Sequence, residues 1–278
     1  MLKGPFLDRN WMGQNPEYEK SDIVMIGLPF DGTVSYRPGS RFAPEQIRLA
    51  SWGLEEYSDV FKRELEDVNF HDAGDLEFPL GNTKKSLEII KENVRQIYSD
   101  GKRVFGIGGE HLVTLPEIQA ISEFYNDFGI IHFDAHTDLR EEYLGEKLSH
   151  AAVIRHCSKI VGASNLKQIG IRSGMKEEFD FMRENNTLCE KYCDLDDLKN
   201  KKIFVTIDLD VLDPALMPGT GTPEAGGMTF KELEGWLYYL KDFDIIGADV
   251  VELAPDYDAS GSSTAVATKV IRDMLMAM

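Results

Sequence analysis

The sequence predicts an α/β fold in which a mostly parallel central sheet lies between two layers of helices. Six short runs rich in β-branched residues have no polar face, which is typical of strands buried on both sides. Segments with helical spacing alternate with these runs, and this alternation favours parallel strands covered by helices. No internal repeat, low-complexity tract or linker divides the chain, so we expect a single domain over residues 1–278.

The elements are predicted in chain order from apolar runs and helical periodicity. The predicted strands are DIVMIGLP, RVFGIGG, FGIIHFDAH, LKQIGIR, KIFVTIDLD and DIIGADVVELA. The predicted helices are TKKSLEIIKENVRQIYSDG, which ends at Gly101, then TLPEIQAISEFY, SHAAVIRHCSK, KEEFDFMRENN, TFKELEGWLYYLKDF and SSTAVATKVIRDMLMAM. Two Gly- and Pro-rich stretches, 36–48 and 212–227, are expected to be loops. They would lie at the crevice beyond the carboxyl ends of the strands, where such sheets bind ligands.

Composition excludes several classes of function. Fractions of 42% hydrophobic and 28% charged residues indicate a soluble globular protein. The net charge of −18 disfavours nucleic acid and anionic membranes as partners and favours small cations. Apolar runs fall short of the roughly 20 residues of a membrane span, and the start lacks a signal-peptide pattern, so a cytoplasmic location is expected. Cys157, Cys189 and Cys193 form neither a disulfide framework nor a complete zinc motif, and we expect reduced structural thiols.

Acidic and histidine side chains collect where three predicted strands end. They are His111 after RVFGIGG, Asp134, His136 and Asp138 after FGIIHF, and Asp208 and Asp210 after KIFVTI. Alternate residues of a strand share a face, so each set is expected to point in one direction. Four carboxylates this close would repel one another without cations between them. Mixed carboxylate and imidazole ligands suit manganese or a similar divalent ion, and two carboxylates able to bridge indicate two ions.

Each of these motifs also has a structural interpretation. A single D-x-H or D-x-D at a strand end is more often a helix cap or a surface turn than a metal ligand. The occurrence of the motifs on three strands of one sheet is what favours metal binding.

The chain resembles the ureohydrolase family, which contains arginases, agmatinases and guanidino-acid hydrolases. The blocks that carry the resemblance occur in the family's order over most of the chain: GGEH, DAHTD, SHAAVIRH, TIDLDVLDP, PGTGTPEAGG and GADVVELAPDYD. Among the members, the sequence looks most like the agmatinases. The resemblance implies an arginase-like fold, two Mn²⁺ per subunit and a homo-oligomer, commonly a trimer or hexamer. It also implies a division of the ligands: His111 and Asp138 for the first ion, His136 and Asp210 for the second, and Asp134 and Asp208 bridging both.

The resemblance further implies a role for two residues outside the metal set. Glu252 would pair with the substrate guanidinium, and His150, which follows the expected N-cap Ser149, would be a proton shuttle and contact the substrate. Asp138 is a second candidate for the proton that the departing amine needs, and the sequence does not divide this step between the two. Because a metal pair lowers the pKa of a shared water, the expected nucleophile is a metal-bridging hydroxide, and its attack would release an amine and urea.

Arg140 bears on the choice of substrate. Arginases typically have Asn at this position, where it contacts the α-carboxylate, so Arg140 disfavours arginine and leaves agmatine, which would yield putrescine and urea. A guanidinium would nevertheless repel the ammonium of agmatine and attract the carboxylate of 4-guanidinobutyrate. That substrate stays open, as do a formimino compound and a catalytically silent, metal-binding regulatory protein.

Three further residues have structural interpretations. His132 is expected to be a hydrogen-bonded core histidine, although a contact with the metal ligands is conceivable, and Glu110 is a similar candidate beside His111. Asp249 is expected to be a carboxylate at the edge of the core that accepts hydrogen bonds from backbone donors.

Overall fold

A sheet of eight parallel strands forms the middle of the computed structural model, which describes residues 10–13 and 16–278. The strand pairs of the described residues are parallel throughout, in the order β2-β1-β3-β8-β7-β4-β5-β6. The strands are β1 (Ile23–Leu28), β2 (Phe70–Asp75), β3 (Arg103–Gly108), β4 (Phe128–Phe133), β5 (Leu166–Ile169), β6 (Leu188–Cys189), β7 (Lys202–Asp208) and β8 (Asp244–Val251).

Helices cover both faces of this sheet. They are α1 (Ala43–Ser51), α2 (Thr83–Ser99), α3 (Thr114–Ile121), α4 (Val153–Val161), α5 (Lys176–Asn185), α6 (Phe230–Leu240) and α7 (Ser262–Ala277). Successive residues of one strand enter two separate cores. Met25 packs in the core shared with α1, α6 and α7, whereas Ile26 packs in the core shared with α2, α3, α4 and α5. The predicted three-layer α/β fold is confirmed.

Helix α2 shows how the sequence determines where a helix begins and which of its sides is buried. The side chain of Asn82 caps its start by accepting the N–H of Lys85 at 3.1 Å. Ile90, Val94 and Ile97 recur every three or four residues and are buried, so one stripe of the helix faces the sheet. Burial of each such side chain stabilises the fold by roughly 1.5–3 kcal/mol.

The predicted elements are present, and three further ones were not predicted. Strands β2 and β6 lie at the two edges of the sheet, where FHDAGD is only partly buried and β6 has two residues. The expectation that 36–48 is a loop is wrong for its second half, because α1 begins at Ala43 with Pro44 in its first turn. Proline is tolerated there because the first turn has no partner for its N–H. The stretch 212–227 contains only isolated bridges and turns, as expected of a loop.

The strand order places the chemically interesting strands side by side. The four central strands of the sheet are, in order, β3, β8, β7 and β4. Because they are parallel, their carboxyl ends lie next to one another on the same side of the sheet. In the described part of the chain, the helices are too short or too polar to cross a membrane. Cys157, Cys189 and Cys193 are all free thiols.

Candidate metal centre

The side chains predicted to bind metal lie close together at the carboxyl ends of the central strands. Nδ1 of His111 lies 3.2 Å from Oδ2 of Asp134 and 3.4 Å from Oδ2 of both Asp138 and Asp208. The second histidine, His136, has its Nδ1 3.0 Å from Oδ2 of Asp210. It also lies 3.5 Å from Oδ1 of Asp134. The carboxylate of Asp134 therefore joins two halves of one cluster, with one oxygen towards each histidine.

The candidate ligands that follow β4 lie in the turn leaving the strand, not in the strand itself. Strand β4 ends at Phe133, and Oδ1 of Asp134 accepts the N–H of His136 at 2.5 Å, which closes the turn. Oδ1 of Asp210 accepts the N–H of Ala135 at 3.0 Å, so the two ligand segments are bonded together. Asp138 takes a left-handed backbone with φ 49°, which turns its side chain back towards the cluster.

The orientation of His111 fits a bound cation. Its ring is 1% exposed, and Nε2 is 2.9 Å from Oγ1 of Thr206. Nδ1 makes no hydrogen bond within the described part of the chain, although three carboxylate oxygens lie within 3.4 Å of it. A buried nitrogen without a partner is costly unless something binds it. Atoms that share a small divalent ion at about 2.1 Å lie roughly 3 Å apart, which is close to the spacings within this cluster. The residues present therefore fit a metal centre.

The electrostatics of the cluster lead to the same inference. Burial, and then the charges of Asp210 and Asp134, raise the pKa of Asp208 well above its usual range. Burial opposes charging of His136, but the hydrogen bonds that its ring donates to Asp134 and Asp210 outweigh burial and raise the pKa of His136 to about 12. Without added positive charge, the acids and histidines thus compete for protons. A divalent cation would supply that charge and leave the histidines neutral.

A cavity of about 250 Å³ opens over this cluster. Its lining includes His136, Asp138 and Asp208 together with both residues predicted to contact the substrate, Glu252 and His150. The structure therefore brings the predicted ligands and the predicted substrate residues to one place.

Glu252 is held tightly at the end of β8. Its backbone is left-handed with φ 69°, its N–H donates to the carbonyl of Gly109 at 2.8 Å, and its Oε1 accepts the N–H of His111 at 2.7 Å. Burial, and then the charge of Glu110, raise the pKa of Glu252 well above its usual range. One carboxylate oxygen is thus committed to the backbone, and the other, Oε2, lies 3.6 Å from the place that a Cβ at Gly221 would take.

His150 begins a short 3-10 turn, His150–Ala152, and not α4 itself, which starts at Val153. Ser149 is at the N-cap position but makes no capping bond through its side chain. Oγ1 of Thr33 instead accepts the N–H of His150 at 3.1 Å and lies 3.4 Å from its Nδ1. Oγ of Ser35 lies 3.3 Å from Nε2, and burial lowers the pKa of the imidazole.

Sequence reasoning missed Thr33 and Ser35. They lie in the loop after β1, separated from His150 by 117 and 115 residues, and no spacing in that loop marks them. Thr33 is itself bound by Glu110, whose Oε2 accepts its N–H at 2.8 Å and whose Oε1 accepts its hydroxyl. Burial raises the pKa of Glu110 to about 8. Glu110 therefore supports His150 indirectly.

The other residues discussed from the sequence have defined partners. Nε2 of His132 is 2.8 Å from Oδ2 of Asp134, and its Nδ1 is 3.1 Å from Nε2 of Gln168, so it is a hydrogen-bonded core histidine that contacts the cluster. The expectation for Asp249 was wrong: its Oδ2 accepts the hydroxyl of Thr114 at 2.6 Å, and its Oδ1 receives no backbone donor among the described residues.

Arg140 also lines the cavity. Its guanidinium lies 4.8 Å from the centre of the Tyr143 ring, and that ring meets His150 edge-on at 5.9 Å. Stacking on an aromatic face keeps the positive charge in a fixed place at the cavity wall.

Comparisons with known proteins bear on this site. Residues 21–277 match the family model described as the arginase family. The agmatinase of Bacillus subtilis (strain 168) is 49% identical over 275 residues, covering 96% of this chain and 95% of that protein. The agmatinase of Bacillus anthracis is 48% identical over 271 residues, covering 94% and 93%. The solved agmatine ureohydrolase of Thermoplasma volcanium superposes with a TM-score of 0.86 at 29% identity, covering 98% of this chain and 94% of the other.

Proposed function

The chain belongs to the arginase family, and from that premise we propose that it hydrolyses the guanidinium group of agmatine to putrescine and urea. The observation that carries the proposal is the 49% identity to the Bacillus subtilis agmatinase over nearly the full length of both chains. The cavity supports it, because acids predicted to bind metal ions and Glu252, the acid predicted to pair with the guanidinium, line the same space.

We propose that the cluster holds two divalent ions, Mn²⁺ in particular. When bound, such a pair supplies water whose pKa is lowered towards neutrality. The orphaned Nδ1 of His111 and the two-sided placement of Asp134 support this role for the chain. The proposed division is the one implied by the family resemblance: His111 and Asp138 for one ion, His136 and Asp210 for the other, and Asp134 and Asp208 between them.

Glu252 is the proposed acceptor of the substrate guanidinium. The hydrogen bond from the N–H of His111 fixes its carboxylate, so the free oxygen can accept a guanidinium N–H without losing side-chain entropy. Burial disfavours the ionised form of Glu252 in the empty cavity. A bound guanidinium would offset that cost, and the pairing is therefore selective for a cation.

His150 is the proposed carrier of the proton that the departing amine needs. Burial lowers the pKa of its imidazole, so the ring is neutral near pH 7 and can accept a proton before passing it on. Contacts with Thr33 and Ser35 hold both ring nitrogens in place beside the cavity. Asp138, on the same cavity wall, is the other group that could deliver this proton.

The proposal is tested by urea release from agmatine, 4-guanidinobutyrate and arginine with Mn²⁺ present. Agmatine should be the preferred substrate, and a preference for either of the others rejects the assignment. Asp134→Asn should abolish urea release while the fold persists, because the variant loses the carboxylate that faces both histidines. Asp180→Asn, on the exposed face of α5, is the matched control and should retain full turnover.

A second candidate substrate is 4-guanidinobutyrate, and Arg140 favours it. Its guanidinium lies at the cavity wall and stacks on Tyr143, where a substrate carboxylate could pair with it. The same panel of substrates decides between the two. Release of ammonia and a formamide, and not of urea, would indicate a formimino substrate, and metal binding without turnover would indicate a regulatory protein.

A further inference from the structure

Behind the metal cluster, a buried chain of hydroxyl groups leads from His111 to an acid on β8. Nε2 of His111 is 2.9 Å from Oγ1 of Thr206, which is 3.4 Å from Oγ1 of Thr114, and the hydroxyl of Thr114 donates to Oδ2 of Asp249 at 2.6 Å. The four side chains are at most 1% exposed. This chain therefore runs through the protein interior, away from the substrate cavity.

Asp249, at the end of this chain of hydroxyl groups, determines which group donates and which accepts in each of its hydrogen bonds. A carboxylate only accepts, so the single proton of Thr114 is committed to Asp249. Thr206 must then donate to Thr114, which leaves the oxygen of Thr206 to accept from Nε2–H of His111. The proton of the neutral imidazole therefore lies on Nε2, and the lone pair of Nδ1 faces the carboxylates of the cluster.

A second buried acid, Glu117 of α3, adjoins Asp249. Both are 0% exposed, and neither Oδ1 of Asp249 nor the two oxygens of Glu117 receive a donor from the residues that the structure describes. Burial, then the charge of Asp249 and a hydrogen bond to it, raise the pKa of Glu117 well above its usual range. Cys157 and Tyr98 interact electrostatically with Glu117, and burial raises the pKa of both, so both stay neutral and neither is a cation that could stabilise an ionised Glu117.

A glycine keeps the space for these two acids. Gly106 of β3 is the register partner of Asp249, and a Cβ at Gly106 would lie 2.9 Å from Oε1 of Glu117 and 3.0 Å from Cβ of Asp249. Glycine inside a strand often marks such a close approach.

We propose that Glu117 shares its proton with Asp249, and that Asp249 positions His111 for metal binding through Thr114 and Thr206. The proposal rests on the proposed function, since it takes His111 to be a metal ligand. Glu117 supplies a neutral donor to one oxygen of Asp249, so the other oxygen remains the acceptor that aligns the hydroxyl chain. These residues act through His111 and do not touch the substrate cavity.

The first test is the affinity of the metal-free protein for Mn²⁺, measured by titration calorimetry. Thr114→Val preserves shape but removes the hydroxyl, and should weaken binding by about 10–100-fold, whereas Thr114→Ser should stay within about threefold. Wild-type affinity in Thr114→Val would overturn the inference. His111→Ala separates the two proposals: if it too binds Mn²⁺ as tightly as the wild type, the metal centre itself is wrong.

The second test addresses the shared proton. Glu117→Gln keeps a donor for Asp249 at every pH and should retain Mn²⁺ affinity within about threefold, whereas Glu117→Leu should lose about tenfold or more. The pKa of Glu117 is higher in the folded state than in the unfolded state, where it is near 4.5. Its contribution to the stability of the folded state is therefore complete only at pH values below 4.5. As pH rises above that value, the unfolding constant of the wild type should rise about tenfold per unit relative to Glu117→Gln. A ratio that does not change with pH would overturn the shared proton.

Discussion

Replacement of Arg172 by leucine should lower both stability and metal affinity, because its guanidinium holds together the segments around Asp210. Arg172 donates to the backbone carbonyls of Gly170, Asp210, Val211, Leu212, Glu224 and Ala225. These carbonyls belong to the end of β5, to a proposed metal-ligand segment and to the loop 212–227 that borders the cavity. A single side chain thus links three segments that have few regular hydrogen bonds of their own.

The size of the effect follows from the two shortest bonds, in which Nη2 donates to the carbonyls of Asp210 and Glu224 at 2.7 Å each. A hydrogen bond from a charged group contributes about 1.5–3 kcal/mol. Arg172 is half-buried, so water can replace part of what is lost, and the lower end of the range applies. Arg172→Leu should therefore reduce the free energy of unfolding by about 3 kcal/mol, which lowers Tm by roughly 5 °C in a chain of this length.

Urea denaturation and thermal scans of the metal-free protein measure this loss. Arg183→Leu is the matched control, since Arg183 makes one exposed ion pair with Asp180 on α5 and its loss should leave the free energy of unfolding almost unchanged. Mn²⁺ affinity should fall in Arg172→Leu but not in the control, because Arg172 binds the backbone carbonyl of Asp210 and Arg183 does not. Equal free energies of unfolding for the two variants would refute this account of the loop.

The other predictions concern the cavity and the metal. Arg140→Ala should lower KM for agmatine and raise KM for 4-guanidinobutyrate, each by about 3–10-fold, because the variant removes one positive charge from the cavity wall. A steady-state urea assay measures both KM values, and changes of the opposite sign would contradict the prediction. Thr33→Val should reduce kcat by about tenfold or more with little change in KM, because His150 loses its contact with the Thr33 hydroxyl. Thr33→Ser keeps a hydroxyl and should restore kcat, and a serine variant as inactive as the valine variant would contradict this role of Thr33. Chelation of Mn²⁺ should lower Tm, since ligand at about 100 times its Kd stabilises the folded state by about 2.7 kcal/mol, and a Tm independent of Mn²⁺ would argue against the site.

The centre of the sheet was predictable because strands buried on both faces must be apolar at every position. Strand β7 is buried from Ile203 to Asp208, and the run KIFVTID shows this directly. Edge strands lack this signal, since a strand such as β2 has a neighbour on one side only and can carry polar residues. Helix α1 was hidden by the glycine and prolines before it, although Pro44 is compatible with a first turn.

The cluster of candidate metal ligands was predictable because acids and histidines are conspicuous at the ends of apolar runs. The residues that support them carry no such mark. Thr33 is a hydroxyl residue in an irregular loop, and Glu117 lies in a helical run where an acid normally faces solvent. Their importance comes from contacts across the fold, such as the 77 residues that separate Thr33 from Glu110, and periodicity cannot report contacts of that kind.

Backbone strain at the site shows how the fold and the chemistry are coupled. Asp138 and Glu252 both have positive φ, a conformation that costs a residue other than glycine about 1–2 kcal/mol. Aspartate tolerates this region better than glutamate, so Glu252 is the stronger case. Two bonds hold it there: its N–H donates to Gly109, and its carboxylate accepts the N–H of His111. Glycine at position 252 would relieve the strain but remove the carboxylate, so the chain retains a less stable backbone in order to direct an acid into the cavity.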